Sequence, residues 1–116
     1  MKKFVILFLL ISSCLFGREY TSSEASQHIG EEGTVCGNVV SGFYAKNSKG
    51  KPTFLNIDKS YPNQIFTVVI WGDSRSNFNY PEEQYKNKNI CVSGYIDSYR
   101  NIPQISVSSV SQIRNK

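Results

Sequence analysis

Histidine is nearly missing from this chain, which has His28 and no other among its 116 residues. No Ser-His-acid or Cys-His set can be assembled around it, so nucleophilic catalysis of the common kinds has no base to work with. His28 falls in a short polar helical stretch, where solvent-facing or packing duty accounts for it. No HxxxH and no CxxC spacing occurs, and no loop is rich in carboxylates, so the motifs write neither a zinc site nor a hard-cation site. Neither a metal nor a cofactor is expected. Asp58, Asp73 and Asp97 each end or follow an expected strand, where turn duty explains them.

Long apolar runs are missing too, except at the very start. Met1-Lys2-Lys3 is a short positive region, Phe4 to Ile11 is apolar throughout, and Ser12-Ser13-Cys14-Leu15-Phe16-Gly17 leads into the polar Arg18-Glu19. Charge, apolar run and small residues in that order form an export signal over residues 1–17. A membrane span needs ~20 apolar residues, and this run is far shorter. Two cuts compete. Ile11-Ser12-Ser13-Cys14 has the form of a lipobox, whose cysteine is acylated, and two acyl chains on Cys14 would anchor the protein to a membrane. Cleavage after Gly17 would also leave a small residue at the cut. The mature chain is expected in the periplasm, lipid-anchored or soluble. Lys2 and Lys3 leave under either cut, so 13 basic and 9 acidic residues become 11 and 9, a net charge of +2. That balance is only mildly basic and is no argument for nucleic acid by itself.

Helix formers are scarce after residue 33, whereas Val, Ile, Tyr, Phe, Thr and Ser are plentiful. About 100 residues make one domain with a modest core, and residues 18–116 form it. Residues 21–29 (TSSEASQHI) predict one short helix, with Ser22 or Ser23 as its cap and Gly30 as its stop. Strands are predicted over 33–44, 53–58, 64–71, 89–99 and 104–113. Asn47 to Pro52 and Arg100 to Pro103 are turns. Between the third and fourth strands, Pro81 opens a short helix that ends near Lys86. The expected fold is all-β, a five-stranded closed barrel with an N-terminal helix and a helical insertion between strands three and four. Closure removes exposed sheet edges, and glycines in the first and fourth strands allow the tight curl.

The body of the domain has two cysteines, Cys36 and Cys91. Val35, Gly37 and Val39 share one strand face and Val92, Gly94 and Ile96 another, so both cysteines lie on the opposite face. If those strands are neighbours, the thiols meet and form a disulfide. Two buried free thiols are the competing arrangement.

The residues Val35-Cys36-Gly37-Asn38-Val39, Pro52 to Asp58 (PTFLNID), Tyr61 to Trp71 (YPNQIFTVVIW), Ile90 to Ile96 (ICVSGYI) and Pro103-Gln104-Ile105 resemble the small exported bacterial OB-fold proteins. The likeness runs from about Ser23 to Ile113. Proteins of this kind are usually described as nucleic-acid-binding proteins or lipoproteins, and similar domains accompany some secreted nucleases. The resemblance implies an OB-fold barrel, a scaffold that binds oligonucleotides, oligosaccharides or proteins. A nuclease of related barrel type would need carboxylates for calcium and arginines for phosphate, and a few acids near Arg75 and Arg100 do not supply that set. No enzymatic activity is expected.

A binding role fares better. Single-stranded nucleic acid needs aromatic platforms for bases and cations for the backbone. Lys46, Lys49 and Lys51 fall in one acid-free turn, with Phe43 and Tyr44 leading into it. Leu55 and Ile57 suit the core, which turns Phe54 and Asn56 outward. The turn between strands four and five carries Tyr99 and Arg100. In an OB fold these strands and loops border one cleft, so the expected site comprises Phe43, Tyr44, Lys46, Lys49, Lys51, Phe54, Asn56, Tyr99 and Arg100. Trp71 reads as packing beneath the insertion. The expected partner is single-stranded DNA or RNA, held with little sequence preference. An envelope partner protein gripped by the same cleft and a nuclease-accessory role are the alternatives.

Overall fold

A computed structural model describes residues 18–116, and β-structure dominates them. The expected export signal and Cys14 lie outside the described residues. Seven strands form: β1 (Glu19–Thr21), β2 (Glu32–Tyr44), β3 (Thr53–Ile57), β4 (Phe66–Ile70), β5 (Asn89–Tyr99), β6 (Ile102–Ser106) and β7 (Ile113–Asn115). Two single-turn helices, α1 (Gly72–Arg75) and α2 (Pro81–Gln84), lie between β4 and β5. Among the described residues no helix is long and apolar enough to cross a membrane.

The strand count differs from the expected five at both ends of the domain. β1 is three residues long and pairs in parallel with β2, Tyr20 opposite Val35. A strand that short leaves no alternation to read. The expected last strand is broken, because Ser109 and Gln112 form a capping box that starts a 3-10 turn, Val110–Gln112, before β7. Gln112 Oε1 accepts from the backbone N–H groups of Ser108 and Ser109 at 2.9 and 3.0 Å. Such side-chain bonds compete with a ladder. The expected N-terminal helix is a 3-10 helix, Ser22–Gln27, and its cap is Thr21 rather than Ser22 or Ser23. Thr21 and Glu24 complete the box reciprocally, with Thr21 N donating to Glu24 Oε1 at 2.8 Å.

β2 is long enough to serve two neighbours. From Glu32 to Asn38 it pairs with β5, and from Val39 to Tyr44 with β3, with an irregularity in register between Val39 and Ser41. β3 then pairs with β4, β4 runs parallel to β6, and β6 pairs with β5. The succession β2–β3–β4–β6–β5 therefore returns to β2. Val35, Val39, Leu55, Ile57, Phe66, Val68, Ile70, Ile90, Val92, Ile96 and Ile105 are each at most 1% exposed and form one core inside this circuit. Each such side chain contributes about 1.5–3 kcal/mol by leaving water. The insertion adds Tyr85 to the same cluster. It can approach because residue 42 is glycine: a Cβ there would lie 2.9 Å from Glu82 Cα.

Cys36 and Cys91 are directly opposite in the β2–β5 ladder and are joined as a disulfide. The predicted neighbourhood of these strands is thereby present. On the same outer face the Thr34 and Ser93 hydroxyls are 2.7 Å apart, and Arg114 on β7 pairs with Glu19 on β1.

Candidate functional site

Alternation along β3 and β4 puts Leu55, Ile57, Phe66, Val68 and Ile70 in the core and Phe54, Asn56, Thr67 and Val69 on the opposite face of the sheet, where Phe54 is partly exposed and Asn56, Thr67 and Val69 are buried as well. Register then sets these outward residues in rows. Phe43 lies opposite Phe54, Phe54 opposite Val69, and Val69 opposite Ser106. One alternation along, a polar row crosses all five strands: Ser41, Asn56, Thr67, Gln104 and Asp97. A further alternation along β5 and β6 comes the pair Tyr99 and Ile102. Aromatic and apolar groups thus border a polar band on both sides.

The first border is built by the loop between β2 and β3. Phe43 is 62% exposed and Phe54 is half-buried. Trp71, just past β4, is 45% exposed and donates from Nε1 to Ser106 Oγ at 3.3 Å. Gly50 sits against its ring, at a φ of +79° and so close that a Cβ would lie 3.0 Å from the indole carbons. Gly72 N donates to Gly50 O at 2.9 Å and fixes that approach. Lys49 and Lys51 flank the touching glycine in the chain, and both are exposed, as is Lys46 in the same loop.

The second border lies at the β5–β6 turn. Arg100 and Asn101 both have left-handed backbones, φ +51° and +68°, as a two-residue mirror-image hairpin turn requires. The turn is shorter than the expected 100–103 because Ile102 and Pro103 already pair with Tyr99 and Ser98. Tyr99 is 60% exposed and the Arg100 guanidinium lies 5.2 Å from its ring centre. The register sets this turn and the lysine loop at opposite ends of the strands, with the polar row between them.

Two expected site residues are occupied otherwise. Tyr44 carries the Arg75 guanidinium 3.6 Å from its ring centre, so that ring face is covered. Asn56 is 4% exposed and its amide donates to Ser41 Oγ at 3.0 Å. Arg75 and Glu82 join the two helices of the insertion through bonds of 2.9 and 3.0 Å, and Arg75 Nη1 also donates to Thr53 Oγ1 on β3 at 2.7 Å. The pairing raises the Arg75 pKa and holds the Glu82 carboxyl below its ordinary value. An open depression lined by Gly72, Arg75, Ser76, Phe78 and Tyr80 lies beside this pair, but its one cation is already bonded.

Among the described residues the ion pairs involve Arg18, His28, Arg75 and Arg114, and none involves Lys46, Lys49, Lys51 or Arg100. His28 stacks on Tyr20 with ring centres 3.7 Å apart and meets Glu31 Oε2 at 2.9 Å. One trio of possible metal ligands occurs among the described residues, Glu19, Cys36 and Cys91. Its sulfurs are bonded to each other and its carboxylate to Arg114, so it offers no thiolate. No family model and no curated protein matches the chain.

Trp71, Gln104 and Asp97 belong to this face, although sequence reasoning does not assign them to it. Asp97, a turn residue by that reasoning, lies inside β5 and points outward between Tyr95 and Tyr99. Its parity with Tyr99 is the available sign. Trp71 follows the last paired residue of β4, where alternation stops giving direction.

Proposed function

We propose that the five-strand circuit is an OB-type barrel, and that the surface bordered by Phe43 and Trp71 at one end of β3 and β4 and by Tyr99 and Arg100 at the other binds single-stranded DNA or RNA outside the cytoplasm, without catalysis and with little sequence preference. The observation that carries this reading is the first border: Phe43 beside Phe54, and Trp71 held against Gly50, the residue between the exposed Lys49 and Lys51. Stacking platforms near cations that form no ion pair among the described residues suit a chain of bases and phosphates. The disulfide suits an oxidising compartment, and residues 1–17 would supply export, ending either in lipidation at Cys14 or in cleavage after Gly17.

Trp71 is the single tryptophan of the chain, so its fluorescence reports directly on this site. Titrating the processed protein with oligo-dT at ~50 mM salt should quench it. The affinity should fall with salt, with a log–log slope of about −0.7 per phosphate neutralised. No binding at that salt sinks the proposal. Salt-insensitive capture of an envelope protein by the same face would put a partner protein in its place. Labelling with a fatty-acid analogue tests the anchor: an exported chain that begins at Arg18 and carries no label rules it out.

A further inference from the structure

The polar row holds a carboxylate that nothing satisfies. Asp97 Oδ1 is shut away from water yet has no hydrogen-bond partner, and neither Asp97 oxygen takes part in any hydrogen bond or ion pair among the described residues. A buried acceptor without a donor is costly. Within the same row Asn56 bonds Ser41, and Thr67 accepts from Gln64 at 3.3 Å, although Gln64 Oε1 is, like Asp97 Oδ1, buried without a donor. Gln104, directly opposite Asp97, makes no side-chain hydrogen bond among the described residues either. Asp97 lies two residues before Tyr99 on the same strand face, and Gln104 two residues after Ile102 on the partner strand. The four form a square, with a ring and an aliphatic chain along one side and a carboxylate and an amide along the other.

From this square we infer that one nucleotide of the bound strand is read as guanine, its base on Tyr99 and Ile102 and its Watson–Crick edge toward Asp97 and Gln104. The inference rests on the single-strand reading above and adds selectivity at one position. Unpaired bases are commonly held in this way, stacked on a side chain and hydrogen-bonded along an exposed edge. Guanine presents two adjacent N–H donors, at N1 and N2, and a carboxylate accepts from both. Adenine and cytosine place a ring-nitrogen acceptor beside their amino group, and thymine flanks its one N–H with carbonyls. Each of these would set a lone pair against the second carboxylate oxygen. The terminal torsion of Asp is broad, so both oxygens can turn to the base. The Gln104 amide has donors to offer guanine O6. The Arg100 guanidinium over Tyr99 leaves a cation for the adjoining phosphate.

The test uses the processed protein and labelled dT oligonucleotides carrying one central dG, inosine, dA or dC, with affinities read by anisotropy at one salt concentration. The dG oligonucleotide should bind about tenfold tighter than all-dT, the scale of a good bidentate pair. Inosine, which lacks the N2 amino group, should lose most of that gain. Asp97→Asn should erase the dG preference, so that the dG and all-dT oligonucleotides bind the variant alike. Equal affinity for all central bases, with binding present, overturns the guanine inference and leaves the single-strand reading standing. Failure to bind any oligonucleotide defeats both. A variant that weakens every oligonucleotide in proportion gives Asp97 a merely structural role and also overturns the inference. Should Asp97→Asn not fold, the inosine comparison on the unaltered protein decides alone.

Discussion

The two ends of β2 present opposite surfaces. Around its first half the outer groups are matched to one another. Cys36 is bonded to Cys91, Thr34 to Ser93, and Glu19 to Arg114, while Glu31 takes His28 and the Tyr20 hydroxyl. Around its second half more is left over: Phe43 is exposed and the loop lysines are without ion pairs among the described residues, although Asn56 bonds Ser41 and Arg75 covers Tyr44. A surface whose polar groups bond each other has little to offer a ligand, whereas one that withholds those bonds keeps them for a partner. The first half of this molecule holds the fold, and the second has the free valences.

Breaking the matched half should cost the most. Replacing Cys36 and Cys91 together by Ser releases a loop of 55 residues and should destabilise by about 4 kcal/mol. Oligonucleotide affinity per folded molecule should stay unchanged. Urea melts beside a binding titration check both halves of that statement. A drop in affinity beyond the drop in folded protein would show that the two ends are not independent.

Arg75→Ala should cost next. It leaves Glu82, whose side chain is 17% exposed, without its partner. Fully buried pairs lose about 3–5 kcal/mol when broken, and partial exposure of this one lowers the expectation to about 2 kcal/mol. Because Arg75 also covers Tyr44 and bonds Thr53, the insertion should loosen first. Faster amide exchange over residues 72–88, ahead of β2 and β5, would reveal it.

Lys49→Ala with Lys51→Ala should leave the melting transition in place. It should weaken single-strand binding alike for every sequence and flatten the salt slope by ~0.7 for each phosphate no longer neutralised. Tyr99→Ala should cost about 1–3 kcal/mol of binding with the slope unchanged, since stacking releases no counterions. If the two substitutions give the same signature, the division between cations and platforms is wrong.

The smallest effect is the pH dependence. Glu82 and Glu31 both have pKa values below the ordinary 4.5, through their bonds to Arg75 and His28 respectively. A depressed carboxyl contributes stability that is fully present above about pH 4.5 and is lost as pH falls and the group protonates. Melting temperature should therefore decline below that pH. Glu82→Gln should remove part of the decline.

Much of the fold is legible in the sequence because the strands of the circuit alternate cleanly: Leu55 and Ile57 in, Phe54 and Asn56 out. The cysteine parity works for the same reason. Three-residue strands and the Ser109–Gln112 capping box are hidden, since their hydrogen bonds depend on partners distant in sequence or on side chains that alternation does not weigh. Of the site, the exposed Phe43, Tyr99 and lysines are legible as residue types in turns. Tyr44 reads as open in the sequence because the residue that covers it, Arg75, belongs to the insertion beyond β4. Trp71 reads as packing because its meeting with Gly50 arises only when the two loops fold together.

The disulfide also has a consequence for covalent connectivity. The segment it encloses, from Cys36 to Cys91, contains β3, β4, both helices and every loop lysine of the first border. A protease cut anywhere in the insertion therefore yields two pieces that still travel as one molecule without reductant. Each keeps half of the β2–β5 ladder, already in register at Cys36 and Cys91. Such a nicked molecule carries an opening in its chain within the insertion, beside Gly42 and Tyr44 of β2, a place where new sequence can be spliced without severing either half from the other.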